Sequence, residues 1–186
     1  MIEFIEQIDH TLTLVINSLH SGGLDVVMQA ISGRLTWIPL YLLLVFLLFR
    51  SLSLKSFLFV LGAVVITIVL TDQVSVFMKN SIGRYRPCHN LLIQGSLHLT
   101  HGCGGKFGFV SSHAANTMGL AVLIGLILKK NWVSTVMLTF ALLNAYSRVY
   151  LGKHYLGDVV GGIILGAAIA MLVVATLKRL LTLEYK

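Results

Sequence analysis

Long apolar runs broken by short polar clusters constrain this chain more than any other feature. The longest central run, Ser56 to Met78, is interrupted only by Asp72 and Gln73, and others cover about Leu35 to Phe49, Ser112 to Leu128, Trp132 to Ser147 and His154 to Leu177. A helix rising 1.5 Å per residue needs about 20 apolar residues to cross a hydrocarbon core about 30 Å thick. The first run is short by that measure, so it borrows flanking residues while Arg34 and Arg50 snorkel. Composition points the same way. The chain is 56% hydrophobic and 11% charged, with a mean hydropathy of +0.88, against about 45–50% and 25% in soluble domains. The expectation is an all-α, polytopic membrane helix bundle forming a single domain over residues 1–186, with five spanning helices, or six if the amino-terminal segment also crosses.

That segment reads differently. Met1, Phe4, Ile5, Ile8, Leu12, Val15, Ile16 and Leu19 recur at helical spacing, with Glu3, Glu6, Asp9 and His10 off the stripe, which predicts an amphipathic helix. Ser21-Gly22-Gly23 breaks it, and Leu24 to Ile31 forms a second short helix. Residues 1–33 are expected to lie on the membrane surface, or alternatively to pack on the bundle as a lid. His10 and His20 are then interfacial polar groups without chemistry. The early acids Glu3, Glu6 and Asp9 replace the basic start of a cleavable signal peptide, so insertion is expected to be driven by the internal spans. In the last run Gly162, Gly166 and Ala170 follow one another by one helical turn, a small-residue seam that places this helix inside the bundle.

The formal net charge of +7 comes without a basic run or aromatic-basic interleaving, which excludes a nucleic-acid partner. The cations sit at the ends of apolar runs. One side of the membrane receives Arg50, Lys55, Lys129, Lys130, Lys178, Arg179 and Lys186, the other Arg34, Lys79, Arg84, Arg86, Lys106, Arg148 and Lys153. Setting aside Lys79, Arg86 and Arg148, which chemistry requires, favours the first group as cytoplasmic and places the polar clusters outside. Cys88 and Cys103, the chain's two cysteines, bracket the polar loop within residues 79–108. Such a pair outside the cytoplasm reads as a disulfide. His89, His98 and His101 stand nearby, but no Cys-x-x-Cys or His-x-x-x-His pair occurs, so neither a metal nor another cofactor is expected.

Three polar clusters carry the chemistry: Lys79 to Pro87, Val110 to His113, and Ser147 to Asp158. Each borders an apolar run, so a bundle can bring them together at one membrane surface. Lys79 offers a point charge, and Arg86 and Arg148 offer planar forks that grip two phosphate oxygens at once. Ser111 and Ser112 precede an apolar helix, where they serve either as caps or as hydroxyl ligands beside amides that point at an anion. His154 and Asp158 are four residues apart and share a helical face, so the carboxylate can hold one imidazole nitrogen and free the other as nucleophile. His113 is placed to protonate a leaving oxygen as general acid. Singly, each histidine reads as a surface or packing residue; jointly, with three cations, they are equipment for cutting off a phosphate.

The order Lys-x6-Arg-Pro, Pro-Ser-Gly-His, Ser-Arg-x5-His-x3-Asp resembles the signature of the type 2 phosphatidic acid phosphatase superfamily, and the chain is similar to its membrane-embedded bacterial branch. Lys79, Arg86 and Pro87 match the first motif, and Ser147, Arg148, His154 and Asp158 the third. In the second, Ser111 and His113 agree, while Val110 stands for proline and Ser112 for glycine. The resemblance implies metal-independent attack by His154 on phosphorus, a phosphohistidine, and its release by water, with Lys79, Arg86, Arg148 and Ser111 binding the phosphate. It also implies a phosphorylated membrane lipid as substrate, among phosphatidylglycerol phosphate, isoprenyl pyrophosphate, phosphatidic acid and lipid A, without choosing one. A phosphotransferase passing the phosphoryl group to a lipid or sugar hydroxyl uses the same residues, and a non-catalytic lipid-binding protein leaves them unexplained. Asp72, about two turns before Lys79, is expected to pair with a cation or touch a head group, and Gln73 to bond between helices.

Overall fold

The computed structural model describes residues 2–100 and 102–186; Met1, at the head of the expected amphipathic stripe, and His101 of the polar loop lie outside them. The architecture is all-helical: α1 (Ile2–Ser18), α2 (Gly22–Ser32), α3 (Ile38–Ser51), α4 (Leu54–Ile82), α5 (Ser112–Leu128), α6 (Asn131–Tyr150) and α7 (Leu156–Leu180). The five apolar runs are the cores of α3 to α7. By length and apolarity α4 and α7 each suffice to cross a membrane, and α2 with the stretch Leu35–Ser51 does so as a pair bent by 71°. α5 is apolar but shorter, at 17 residues. α6 carries Asn144, Ser147 and Arg148 buried in its last turns, which lowers its apolarity.

α5 is the axis of the bundle, packed against α4, α6 and α7. Its contact with α7 runs along the small-residue seam: Gly162, Gly166 and Ala170 are buried, and a Cβ on Gly166 would meet the carbonyl of Ala115 and the amide of Gly119. Leu123, Ile124, Ile127, Met137 and Leu48 fill the core toward the opposite end. There the carboxyl-terminal tail is clasped to the α3–α4 turn by Ser53 N–H to Glu184 O and Lys186 N–H to Ser51 O.

The amino-terminal segment packs on the bundle, α1 against α6 and α7, and α2 against α6. The polar side of α1 faces inward. Thr13 and Asn17 are 0% and 1% exposed, while Phe4, Ile5, Val15 and Leu19 of the apolar stripe are each more than half exposed. The helix therefore docks chiefly through hydrogen bonds and turns most of its apolar stripe outward, with Ile16 alone packing against the cluster of Ala114, Ala145, Val149 and Val159. Asn17 shows how: its amide donates to the carbonyls of His98 and Tyr150 at 2.9 and 2.6 Å, and its oxygen accepts from His98 N–H at 2.8 Å. His20 stacks on His98, and His10 on Tyr155.

Candidate active site

The polar loop is closed at its neck. Residues 84–86 pair with 106–108 through Arg86 N–H to Lys106 O at 3.1 Å and Gly108 N–H to Arg84 O at 2.8 Å, and Cys88 and Cys103 are joined as a disulfide with Cα atoms 6.1 Å apart. The pairing and the bond together set the end of α4 beside the start of α5. Ser111 N–H then donates to Asp158 O at 2.9 Å, tying the starts of α5 and α7. On the α6 side, the chain reverses over residues 151–155. Gly152 takes φ +66°, a left-handed value that favours glycine, and the amides of Lys153 and His154 return to Arg148 O.

His154 and Asp158 are 1% and 0% exposed. Nδ1 of His154 lies 3.3 Å from Oδ2 of Asp158, an oxygen that also accepts from Tyr155 N–H at 3.2 Å. The other oxygen accepts from Arg84 at 2.9 Å. This leaves Nε2 of His154 as the nitrogen not held by the carboxylate. Burial, with Arg86, Arg148 and Lys79 close enough to act on it, holds the His154 imidazole well below the ordinary histidine range, against a backbone hydrogen bond with Gly108, so the ring is neutral.

The three cations converge as the spacing suggests, each by a different tether. Lys79 Nζ donates to Ser112 Oγ, which also shares a proton with Ser75 Oγ at 2.7 Å. Arg86 is braced by the carbonyls of Phe107 at 3.1 Å and Cys103 at 3.0 Å. Arg148 donates to Ser32 Oγ at the end of α2. Ser111 stands at the N-cap of α5 yet makes no side-chain capping bond. Its hydroxyl and the Nε of Arg148 are buried with no hydrogen-bond partner among the described residues. Two orphaned donors beside an imidazole form a cradle for an anion, because a buried donor left unpaired costs about 1–3 kcal/mol.

A cavity of about 490 Å³ adjoins this centre, lined by Ser112 and His113 together with Asp72, Gln73, Arg34 and Asn144 among others. It shares Tyr41, Ile68, Asn116 and Thr117 with an apolar cleft of about 280 Å³ that continues between α3, α4 and α5. Asp72 and Gln73 thus face open space; Asp72 acts on Lys79 through charge but forms no ion pair among the described residues. His113 stands between the cavity and the buried centre. A group of three potential metal-ligand atoms, from Cys88, His89 and Cys103, lies in the loop, and its two sulfurs are those of the disulfide.

Sequence reasoning passed over Arg84, Asp9, Ser32 and Gly108. Arg84 entered only as a charge and Asp9 as a polar position on α1, while Ser32 lay just beyond the short helix expected over Leu24 to Ile31. Gly108 matters by what it lacks: a Cβ there would collide with the Asp158 carboxylate.

The bundle thus holds a buried imidazole–carboxylate pair with cations close by, a set of groups suited to a phosphate ester. The family model described as the PAP2 superfamily matches residues 53–181, and the chain belongs to that superfamily as an integral membrane lipid phosphatase. It is 38% identical over 169 residues to the lipid A 4'-phosphatase of Bacteroides thetaiotaomicron, covering 89% of this chain and 75% of the relative. It is 31% identical over 166 residues to the lipid A 4'-phosphatase of Porphyromonas gingivalis, covering 88% and 70%. Its fold is that of the transmembrane PAP2-type phosphatidylglycerolphosphate phosphatase of Bacillus subtilis, with a TM-score of 0.75 at 22% identity over 95% of this chain and 88% of the other. LpxE of Aquifex aeolicus superposes with a TM-score of 0.71 at 21% identity, over 89% and 93%.

Proposed function

We propose that this enzyme hydrolyses the 4'-phosphate of lipid A at the outer face of the bacterial inner membrane, through a phosphohistidine on His154 and without a metal. The observation that carries the mechanism is the pair of orphaned buried donors, Ser111 Oγ and Arg148 Nε, beside a neutral imidazole. A phosphate monoester seated there takes both, along with Lys79 and Arg86. The Nε2 lone pair of His154 forms the N–P bond as the P–O bond to the sugar breaks, and His113 gives its proton to the departing oxygen. Water then attacks phosphorus as the now neutral His113 takes a proton from it, the N–P bond breaks, and inorganic phosphate leaves. Asp158 stabilises the positive charge on the imidazole, and the cations stabilise charge on the equatorial oxygens.

The choice of lipid A rests on the two named relatives, each at least 31% identical over most of both chains. The polar cavity beside His113, opening into an apolar cleft, suits a head group with acyl chains. The test is phosphate release in detergent, with chelator present, from lipid A, phosphatidylglycerol phosphate, an isoprenyl pyrophosphate and phosphatidic acid. Lipid A carrying the 4'-phosphate should be the best substrate by kcat/KM, and lipid A carrying only the 1-phosphate should be poor. Equal rates on both forms, or preference for a glycerol lipid, would refute the substrate assignment. Loss of activity restored by a divalent cation would refute the metal-free mechanism.

A further inference from the structure

We propose that Arg84 is a positioning residue for the His154–Asp158 pair, held in turn by Asp9 of α1, so that the amino-terminal helix belongs to the catalytic machinery. The inference rests on the phosphohistidine reading above. Its basis is a continuous chain of polar contacts from α1 to the imidazole. Arg84 Nη1 donates to Asp158 Oδ1 at 2.9 Å, and Nη2 to Asp9 Oδ2 at 2.8 Å. The other oxygen of Asp9 accepts from Gly157 N–H at 2.8 Å, at the start of α7. The guanidinium lies over the ring of Tyr155, 4.1 Å from its centroid, and Tyr155 is itself anchored by Asn90, whose amide donates to its hydroxyl at 2.8 Å.

Each link has a physical reason. Asp158 is 0% exposed, and a carboxylate removed from water needs partners on both oxygens to remain ionised. Oδ2 is taken by His154 and Tyr155 N–H, which leaves Oδ1 to Arg84. A planar fork fixes the plane of the carboxylate as well as its charge, and the carboxylate plane aims the imidazole. A single ammonium in place of the fork supplies charge without that direction. The fork cannot hold two acids unless the second, Asp9, arrives from α1. This accounts for a helix that docks by its polar side and leaves its apolar stripe outside.

Arg84 makes its two ion pairs with protein carboxylates and does not line the cavity beside His113. It therefore acts through Asp158, and its removal should lower kcat while leaving KM near wild type. Arg84→Gln is expected to reduce the single-turnover rate on the order of 10²-fold and Asp9→Asn about 10-fold, with Arg84→Lys between wild type and Arg84→Gln. Asp9→Asn keeps an oxygen for Gly157 N–H and alters the contact with Arg84, so the double variant should cost no more than Arg84→Gln alone. The charged and titratable groups facing Asp158 are Lys79 from α4, Arg84 and Arg86 from the polar loop, and His154 and Tyr155 beside it. Removing one of the cations that face Asp158 weakens the field on it, so the acid limb of kcat in Arg84→Gln should move to higher pH.

A merely structural arginine would lower the yield of inserted protein and leave the pH profile of the surviving molecules in place. The inference is overturned by Arg84→Gln with kcat within about twofold of wild type and an unmoved acid limb, or by a loss confined to KM, which means that Arg84 touches the substrate. If Arg84→Gln does not insert, Asp9→Asn decides by the same measurements, because the amide keeps the size of the side chain. Trapping the phosphoenzyme separates this inference from the one beneath it. No phosphohistidine in wild type defeats the mechanism whatever Arg84 does; phosphohistidine formed at the wild-type rate in Arg84→Gln defeats the positioning role alone.

Discussion

Asp158 gives each of its oxygens a separate task, one toward His154 and one toward Arg84. Asp158→Asn keeps the size but removes the charge that stabilises the imidazolium formed during attack. In the serine-protease triad, a standard worked case of this arrangement, the corresponding change costs about 10⁴. Here the cations share the stabilisation, so the single-turnover rate should fall on the order of 10²–10³ with KM little changed; phosphoenzyme formation at the wild-type rate would show the carboxylate to be incidental. The depressed pKa of His154 gives a second expectation. A histidine held below its usual value of about 6.5 stays neutral and nucleophilic as pH falls through that value. Once the substrate's own ionisation is allowed for, the acid limb of kcat/KM should lie below 6.5, and a midpoint at or above it would contradict the neutral nucleophile. The motif residues were legible because residue type and spacing alone restrict their chemistry: His154 and Asp158 are four apart on one face. Arg84 was not, since its partners Asp158 and Asp9 lie 74 and 75 positions away and only the fold brings them within reach.

Among the elements, the α5–α7 contact tests how closely the bundle must pack to align its motifs. Gly166 meets backbone rather than flexible side chain, so no neighbour can yield to a Cβ. Gly166→Val should destabilise the detergent-solubilised enzyme by about 1–3 kcal/mol or more, read as a lower melting temperature with coupled loss of activity. Gly62 in α4 has nothing within 4 Å of an added Cβ; Gly62→Ala should be neutral or stabilising by a fraction of a kcal/mol, up to about 1. Equal melting temperatures for the two variants would remove the seam from the argument. The seam was legible because small residues one turn apart leave a periodic trace. The docking of α1 was less so: its apolar stripe is visible in sequence, but most of the stripe faces outward and the contact is made largely by the polar residues Asp9, Thr13 and Asn17, with Ile16. The bend between α2 and α3 leaves no comparable pattern, although it sets Ser32 against Arg148 and Arg34 beside the cavity.

For the whole molecule, the loop closure and the charge distribution bear on which side of the membrane the chemistry occurs. Cys88 and Cys103 close a loop with a sequence separation of 15, which in the chain-entropy model stabilises by about 3 kcal/mol. That bond persists in an oxidising compartment and is reduced in a cytosol. It sits on the face where Arg86, Ser111 and His154 meet, while Lys129, Lys130, Lys178 and Arg179 gather at the opposite ends of α5, α6 and α7, and lysine and arginine are in excess on the cytoplasmic side of membrane proteins in general. The active face should therefore lie outside. Right-side-out bacterial membrane vesicles are expected to hydrolyse a short-chain, membrane-impermeant lipid phosphate at nearly full rate, with detergent adding less than about twofold, whereas inverted vesicles should be inactive until detergent opens them. The same preparations report the bond, because an impermeant thiol reagent should label Cys88 and Cys103 in right-side-out vesicles only after reduction. Activity exposed in inverted vesicles, together with thiols that react there without reduction, would reverse the orientation and remove the disulfide from the native loop. The residue-scale expectations for His154 and Asp158 would still stand, since the geometry that aims the imidazole does not depend on which side of the bilayer it faces.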